Sequence, residues 1–317
     1  CKQNYFEKYD LSAETVDDDL TYRKKEFLAF LGERPSAGPD RNDFDIKKQN
    51  ITDYDPKITS FLKDITLVTK LRETRVLTGF SRIIPTSTGE EKVSIKKSGT
   101  HINWLPASEV RGEGIFINFR REKLIDWFEK HKSNFTKILD FYNGWLKNTK
   151  EKNDINYARL HDIDQLQEIS PFYILIHTFS HIIIRQLVYK AGYDSSSLRE
   201  RLFVCEDPDK EMYGTLIYTS SGDSEGTLGG LVEMGKPGNL EEVIFKSLEV
   251  ETCSNDPVCV ETERQGLKEL NGAACHSCCL LPETSCEHNN TLLDRKFLFG
   301  TIEKPEIGFL SALVKEL

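Results

Sequence analysis

The sequence predicts a mixed α/β protein: a helix-rich first part, then an α/β module closed by a structural zinc site. Three observations predict it. Apolar residues recur at helical spacing over 123–150 and fill 172–189 almost without break. Short alternating or continuous apolar runs at 202–205 and 214–219 read as strands. Six of the eight cysteines fall between 253 and 286, at spacings suited to a metal.

Taken in order, residues 20–31 read as a short amphipathic helix, and the Pro- and Asp-rich stretch 33–56 as a surface loop. From 57 to 82 the pattern reads as a helix, with Ile65, Val68 and Leu71 on one face and six Lys/Arg against the two acids Asp64 and Glu73. Lys63, Lys70, Arg72 and Arg75 are its candidate nucleic-acid contacts; a solvated helix face accounts for the same residues. Residues 86–100 read as a polar hairpin or loop and 115–119 as a short strand. The helix over 123–150 carries Leu124, Trp127 and Phe128, then Phe135, Ile138, Leu139, Tyr142 and Trp145. A polar stretch at 147–165 marks the expected boundary between a first region, 1–165, and a second, 166–312.

The second region opens with Ser170-Pro171, an N-cap followed by proline at the first helical position, and its helix is expected to stop at Gly192. Ser197 and Glu200 fit a capping box. A glycine-rich turn at 226–230 leads to a helix with Leu231 and Val232, and 240–250 reads as amphipathic helix. A last helix is expected over 291–299, between an Asn290 cap and a Gly300 stop.

Composition bounds the chemistry. With 38% hydrophobic and 29% charged residues, the 317-residue chain has an ordinary globular balance, and a net charge of −9 gives no general attraction for nucleic acid. The most apolar stretch, 172–189, is interrupted by His177, His181, Arg185 and Gln186, so a buried helix is expected rather than a membrane span. A long chain with unevenly clustered cysteines and no secretion signal points to a reduced, cytoplasmic setting, although three N-x-S/T triplets (Asn50, Asn134, Asn289) pull weakly the other way. The first residue is Cys1 rather than Met, which fits a piece of a longer protein.

Cys253 and Cys259 are followed after a gap by Cys275-x2-Cys278. A C-x2-C turn points two sulfurs at one ion and a second pair closes a tetrahedron, so these four are the expected zinc ligands. Asp256-Pro257 suits a tight turn between the first pair, and Ala273-Ala274 permits close approach of the second. Cys279, Cys286 and, less well, His276 compete for a place in the set. A [4Fe–4S] cluster is the alternative metal, and buried free thiols or a redox pair the metal-free reading. Four protein donors leave no open position, so the ion is structural.

Other chemistry is weaker. His177 and His181 share a helix face, but Thr178 stands where a zinc protease has Glu, and core or interface histidines are the better reading. Asp223 and Glu225 in the glycine-rich stretch could serve a metal-dependent hydrolase or nuclease, yet helix capping fits them better. No Walker A loop, nucleophile elbow or HExxH helix occurs in the sequence.

The segments 67–83, 104–117, 177–203, 214–232 and 253–295 (CSNDPVC…AACHSCCLLPETSCEHNNTLLDR) resemble the B proteins of the bacterial DISARM antiphage systems, the DrmB family. The C-terminal part is similar to the MZB zinc-binding domain. The resemblance implies zinc on Cys253, Cys259, Cys275 and Cys278, a helicase subunit (DrmA) as partner, and DNA contacted through the complex. It implies no catalytic residue, so the expected role is a non-enzymatic accessory subunit, against the alternatives of a nuclease or a scaffold without DNA contact.

Overall fold

The computed structural model describes residues 19–33, 43–76, 79–80, 93–94, 106–151, 168–219 and 230–316. Most of the expected polar hairpin at 86–100, the 152–165 part of the boundary, and Asp223 and Glu225 lie outside the described residues.

A five-stranded antiparallel sheet organises the chain, in the order β1 (Asp45–Lys48), β2 (Leu62–Val76), β5 (Ala107–Phe119), β7 (Met212–Thr219), β6 (Leu198–Cys205). Two short strands, β3 (Gly79–Phe80) and β4 (Val93–Ser94), form a separate ladder. In the large sheet Ile65 faces Ile117 across β2/β5, and Ile115 faces Ile217 across β5/β7. The sheet therefore joins strands from both sides of the boundary expected at 165/166.

Each face of the sheet buries its own core, as alternation along a strand requires. On one face Val68, Phe116, Phe203 and Leu216 meet Phe27 and Phe30 of helix α1 (Asp19–Phe30). The Phe30 ring stacks on Phe116 at 5.1 Å, and the Phe27 ring meets its edge at 5.5 Å. On the other face Ile65, Ile115, Ile117, Phe119, Leu198, Leu202 and Ile217 join a larger core. Helices α3 (Arg121–Glu151) and α4 (Pro171–Ala191) cover it, together with the C-terminal segments. Gly214 sits where α1 approaches β7: a Cβ there would lie 2.8 Å from the Ile117 carbonyl and 3.2 Å from the Phe27 ring.

The mixed α/β expectation stands, and so does the buried helix. The Ser170 side chain caps α4 by accepting from the Tyr173 N–H, and Gly192 ends it in the left-handed region at φ 71°. Its residues from Pro171 to Ile184 are all buried, and exposure is confined to its last turns, where Tyr189 is open to solvent. No described helix is long and apolar enough to cross a membrane.

Four local expectations fail; one is the surface loop expected over 33–56, which instead supplies the edge strand β1. The helix over 57–82 is a single turn, α2 (Pro56–Thr59), followed by strand β2. Ile65, Val68 and Leu71 satisfy helical spacing, but the segment is rich in β-branched residues, its centre is buried between the two cores, and its end alternates exposed with half-buried. The first region, still richer in helix than in strand among the described residues, is accordingly built on β2 and β5 as well. The capping box at Ser197–Glu200 is instead the start of β6, where Leu198, Glu200 and Leu202 all point into the larger core. The last expected helix shrinks to α8 (Lys296–Phe299). Residues before it pair with an earlier segment, Leu292 N–H donating to the Leu270 carbonyl and Gly272 N–H to that of Leu293. Helices α5 (Gly230–Met234), α6 (Asn239–Ser247), α7 (Val258–Glu261) and α9 (Ser311–Lys315) complete the described set.

Glu287 ties three elements together. It pairs with Arg23 of α1 at 2.6 Å and Arg201 of β6 at 3.3 Å, and accepts the Leu202 N–H. Burial alone would raise its carboxyl pKa, but the two guanidiniums hold it below the usual carboxylate range. A depressed folded value means stability that is present above the unfolded pKa of about 4.3 and lost as pH falls towards the folded value. Glu287→Gln is expected to cost about 3 kcal/mol at pH 7. Urea denaturation at pH 7 and near pH 3 checks this; the difference between parent and variant should shrink at the lower pH.

Candidate metal centre

The four expected cysteines converge. Their sulfurs lie within 4.8 Å of one another, with Cys253–Cys275 at 3.5 Å and both Cys259–Cys278 and Cys275–Cys278 at 3.8 Å. Thiolates at about 2.3 Å from a tetrahedral zinc stand about 3.8 Å apart, so the arrangement matches the ion.

Two hooks hold the sulfurs. In the first, Asp256 N–H donates to the Cys253 carbonyl while the Asp256 carboxylate accepts the N–H groups of Cys253 and Val260. This closes a turn before α7 and sets Cys253 and Cys259 on one side. In the second, the N–H groups of Cys278 and Cys279 both donate to the Cys275 carbonyl, and the Cys275 N–H points at the Cys278 sulfur at 3.2 Å. The Asn255 side chain bridges the hooks with a hydrogen bond to the Cys275 sulfur. Burial pushes the Cys275 thiol up, but bonds from Asn255, Cys253 and nearby backbone N–H groups outweigh it and bring it down to about 6. The Cys253 thiol is raised, mainly by burial.

Two arginines surround the hooks. Arg295, almost fully buried, pairs with Asp256 and donates to the Glu251 carbonyl. Its charge offsets the excess negative charge that four thiolates around a divalent ion would carry. Arg185 of α4 donates to the carbonyls of His276, Ser277 and Leu280, tying the second hook to the central helix. Sequence reading missed both, because their partners lie 39 and more than 90 residues away. The close approach expected at Ala273-Ala274, both buried, extends one residue earlier. Gly272 is the tight position: a Cβ there would stand 2.1 Å from an Asp294 carboxylate oxygen.

The competing ligands fall elsewhere. His276 is exposed, and Cys279 is buried outside the tetrad with its carbonyl 2.9 Å from His181 Nδ1. Cys286 lies beside His177, His181 and Glu200. The candidate nucleic-acid contacts occupy β2, not a helix face. Lys63 and Lys70 are exposed, Arg72 pairs with Asp43 at 2.7 Å, and Arg75 with Glu73 at 3.0 Å. Arg72 and Arg75 lie an odd number of residues apart on a regular stretch of strand, so they point to opposite faces.

Residues 179–279 match the family model described as the MrfA Zn-binding domain, MZB. The chain is also 35% identical over 284 residues to DISARM protein DrmB of Bacillus paralicheniformis. Along those residues the chain is similar to DrmB. The alignment takes in 86% of this chain and 46% of that protein, so the chain spans about half the length of the curated relative it matches. The MZB match contains all four converging cysteines, and together they support a structural zinc in this chain.

Cys259→Ser or Cys278→Ser should remove one equivalent of zinc per chain and open the segment around 253–281 to protease, since a closed metal site contributes folding energy directly. Elemental analysis and limited proteolysis of parent and variants check this outcome.

Proposed function

We propose that the chain is a non-catalytic subunit of an antiphage assembly, docking a helicase partner and supporting its DNA binding and ATP hydrolysis. The observation that carries this reading is the 35% identity to DrmB, which extends along 86% of the chain and well beyond the zinc segment. The donor set is in keeping with it. With Cys253, Cys259, Cys275 and Cys278 as the ligands, the ion has no position left for water or substrate. We assign docking to the part from 166 to 312 and the DNA contacts to the part before it. Of the four basic candidates, Lys63 and Lys70 are the stronger, because Arg72 and Arg75 already hold acidic neighbours. DNA contact is then a weak, salt-sensitive contribution made within the complex, not an autonomous activity.

Co-expression with the helicase subunit (DrmA) and tandem purification should give a stable complex, with ATPase activity or DNA affinity above that of the helicase alone. Absence of a complex, or a complex with both properties unchanged, overturns the reading. Lys63→Glu with Lys70→Glu should lower DNA affinity of the complex and flatten its salt dependence without weakening the association of subunits. An unchanged salt dependence leaves docking in place and removes the DNA contacts.

A further inference from the structure

A second cluster of potential ligands lies inside the larger core. His177 and His181 come from α4, one helical turn apart, Glu200 from β6, and Cys286 from the segment after the Glu283–Ser285 turn. Their ligand atoms all lie within 4.8 Å of one another. His177 Nε2 is 2.9 Å from Glu200 Oε1 and 3.2 Å from the Cys286 sulfur, and His181 Nε2 is 3.3 Å from the same carboxylate oxygen. The side chains of both histidines and Glu200 are fully buried, and Cys286 is nearly so. No substrate reaches them, so a Cys-His-Glu nucleophile arrangement has nothing to act on.

Three features favour a metal ion over a proton-shared network. His181 Nδ1 faces the Cys279 carbonyl at 2.9 Å, and a carbonyl only accepts, so Nδ1 carries the hydrogen. In the neutral ring, Nε2 then presents a lone pair to a carboxylate oxygen, a contact between two acceptors that takes either a second ring proton or a metal ion to hold it. A carbonyl on the far ring nitrogen is also the arrangement that orients metal-bound histidines. Second, the Cys286 sulfur accepts the N–H groups of His288 and Asn290 at 3.3 and 3.2 Å. The N–H two residues on reaches back to the sulfur in the same way at Cys253, inside the zinc tetrad. Third, Glu200 Oε2 and His177 Nδ1 are buried without a hydrogen-bond partner among the described residues. A polar cluster kept in a core while incompletely satisfied needs a cause.

We propose that His177, His181, Glu200 and Cys286 bind a second divalent transition-metal ion, zinc by the character of the donors. Two neutral imidazoles, one carboxylate and one thiolate balance a 2+ charge. This site therefore needs no counter-ion, whereas the tetrathiolate has Arg295 beside it. With four protein donors it is a closed, structural site that pins α4, β6 and the segment at 286 to one point. His177 and Cys286 lie outside the residues matched by the MZB family model.

The test is the metal content of the parent chain, expressed with added zinc and dialysed without chelator, measured by elemental analysis and X-ray absorption. Two equivalents are expected, with five sulfur and three nitrogen or oxygen donors shared between the two ions. Cys286→Ala with Glu200→Gln should lower the content to one and leave an all-sulfur shell. Cys259→Ser should instead leave the mixed shell, so that failure of either site is distinguished from failure of the other. A single equivalent in an all-sulfur shell in the parent overturns the proposal, whether or not the variants fold.

Discussion

The burial of α4 on every side from Pro171 to Ile184 is the constraint from which the rest of the molecule follows. A helix with fifteen buried residues, four of them Thr178, Ser180, His177 and His181, cannot rotate or slide without stranding a polar group. Ser180 donates to Ile176 and bonds Thr215 of β7, fixing the helix against the sheet. Thr178 accepts the Asp294 N–H, and His181 and Arg185 reach the carbonyls of the cysteine segment. Apolar contacts make the helix stable inside; its few polar residues decide its register against each neighbour.

The cysteine segment works under a different regime. Between 253 and 295 regular structure amounts to a few single turns, and Lys268, Glu269, Asn289, Asn290 and Leu292 adopt positive φ. Asparagine tolerates that region, but lysine, glutamate and leucine do so at a cost. Order here comes from side chains that bond backbone across the segment. Asn271 accepts the Leu293 N–H and donates to the Asn290 carbonyl, and Asp294 accepts the N–H groups of Ala273 and Lys296. A metal at the tetrad fastens the other end of this web. Small cores and few ladders make such a segment dependent on its ion.

What could be read from the sequence was whatever rests on local chemistry. The cap at Ser170, the stop at Gly192 and the four cysteines at hook spacing are written within a few residues of where they act. What could not be read depends on partners far along the chain. In strand β2 three apolar residues fit both the helical and the strand period, and only its pairing with β5 decides between them. Glu200 looked like a cap because Ser197 precedes it. Its inward direction follows from the alternation of β6, visible only once Leu198 and Leu202 are known to face a core. Arg295 and Arg185 had no local signal at all.

The pairing of β5 with β7 joins residues about one hundred positions apart in the chain. During synthesis β2 and β5 therefore leave the ribosome with one long hydrogen-bonding edge open and their apolar faces covered only in part, by α1 and α3. That condition lasts until α4 and the β6/β7 hairpin emerge. Helix α1 precedes both strands but has no Phe203 to pack against before that point. The N-terminal third is thus a client of the middle of its own chain. Truncation before residue 219 would leave the β5 edge without its β7 partner, a site open to pairing with another chain.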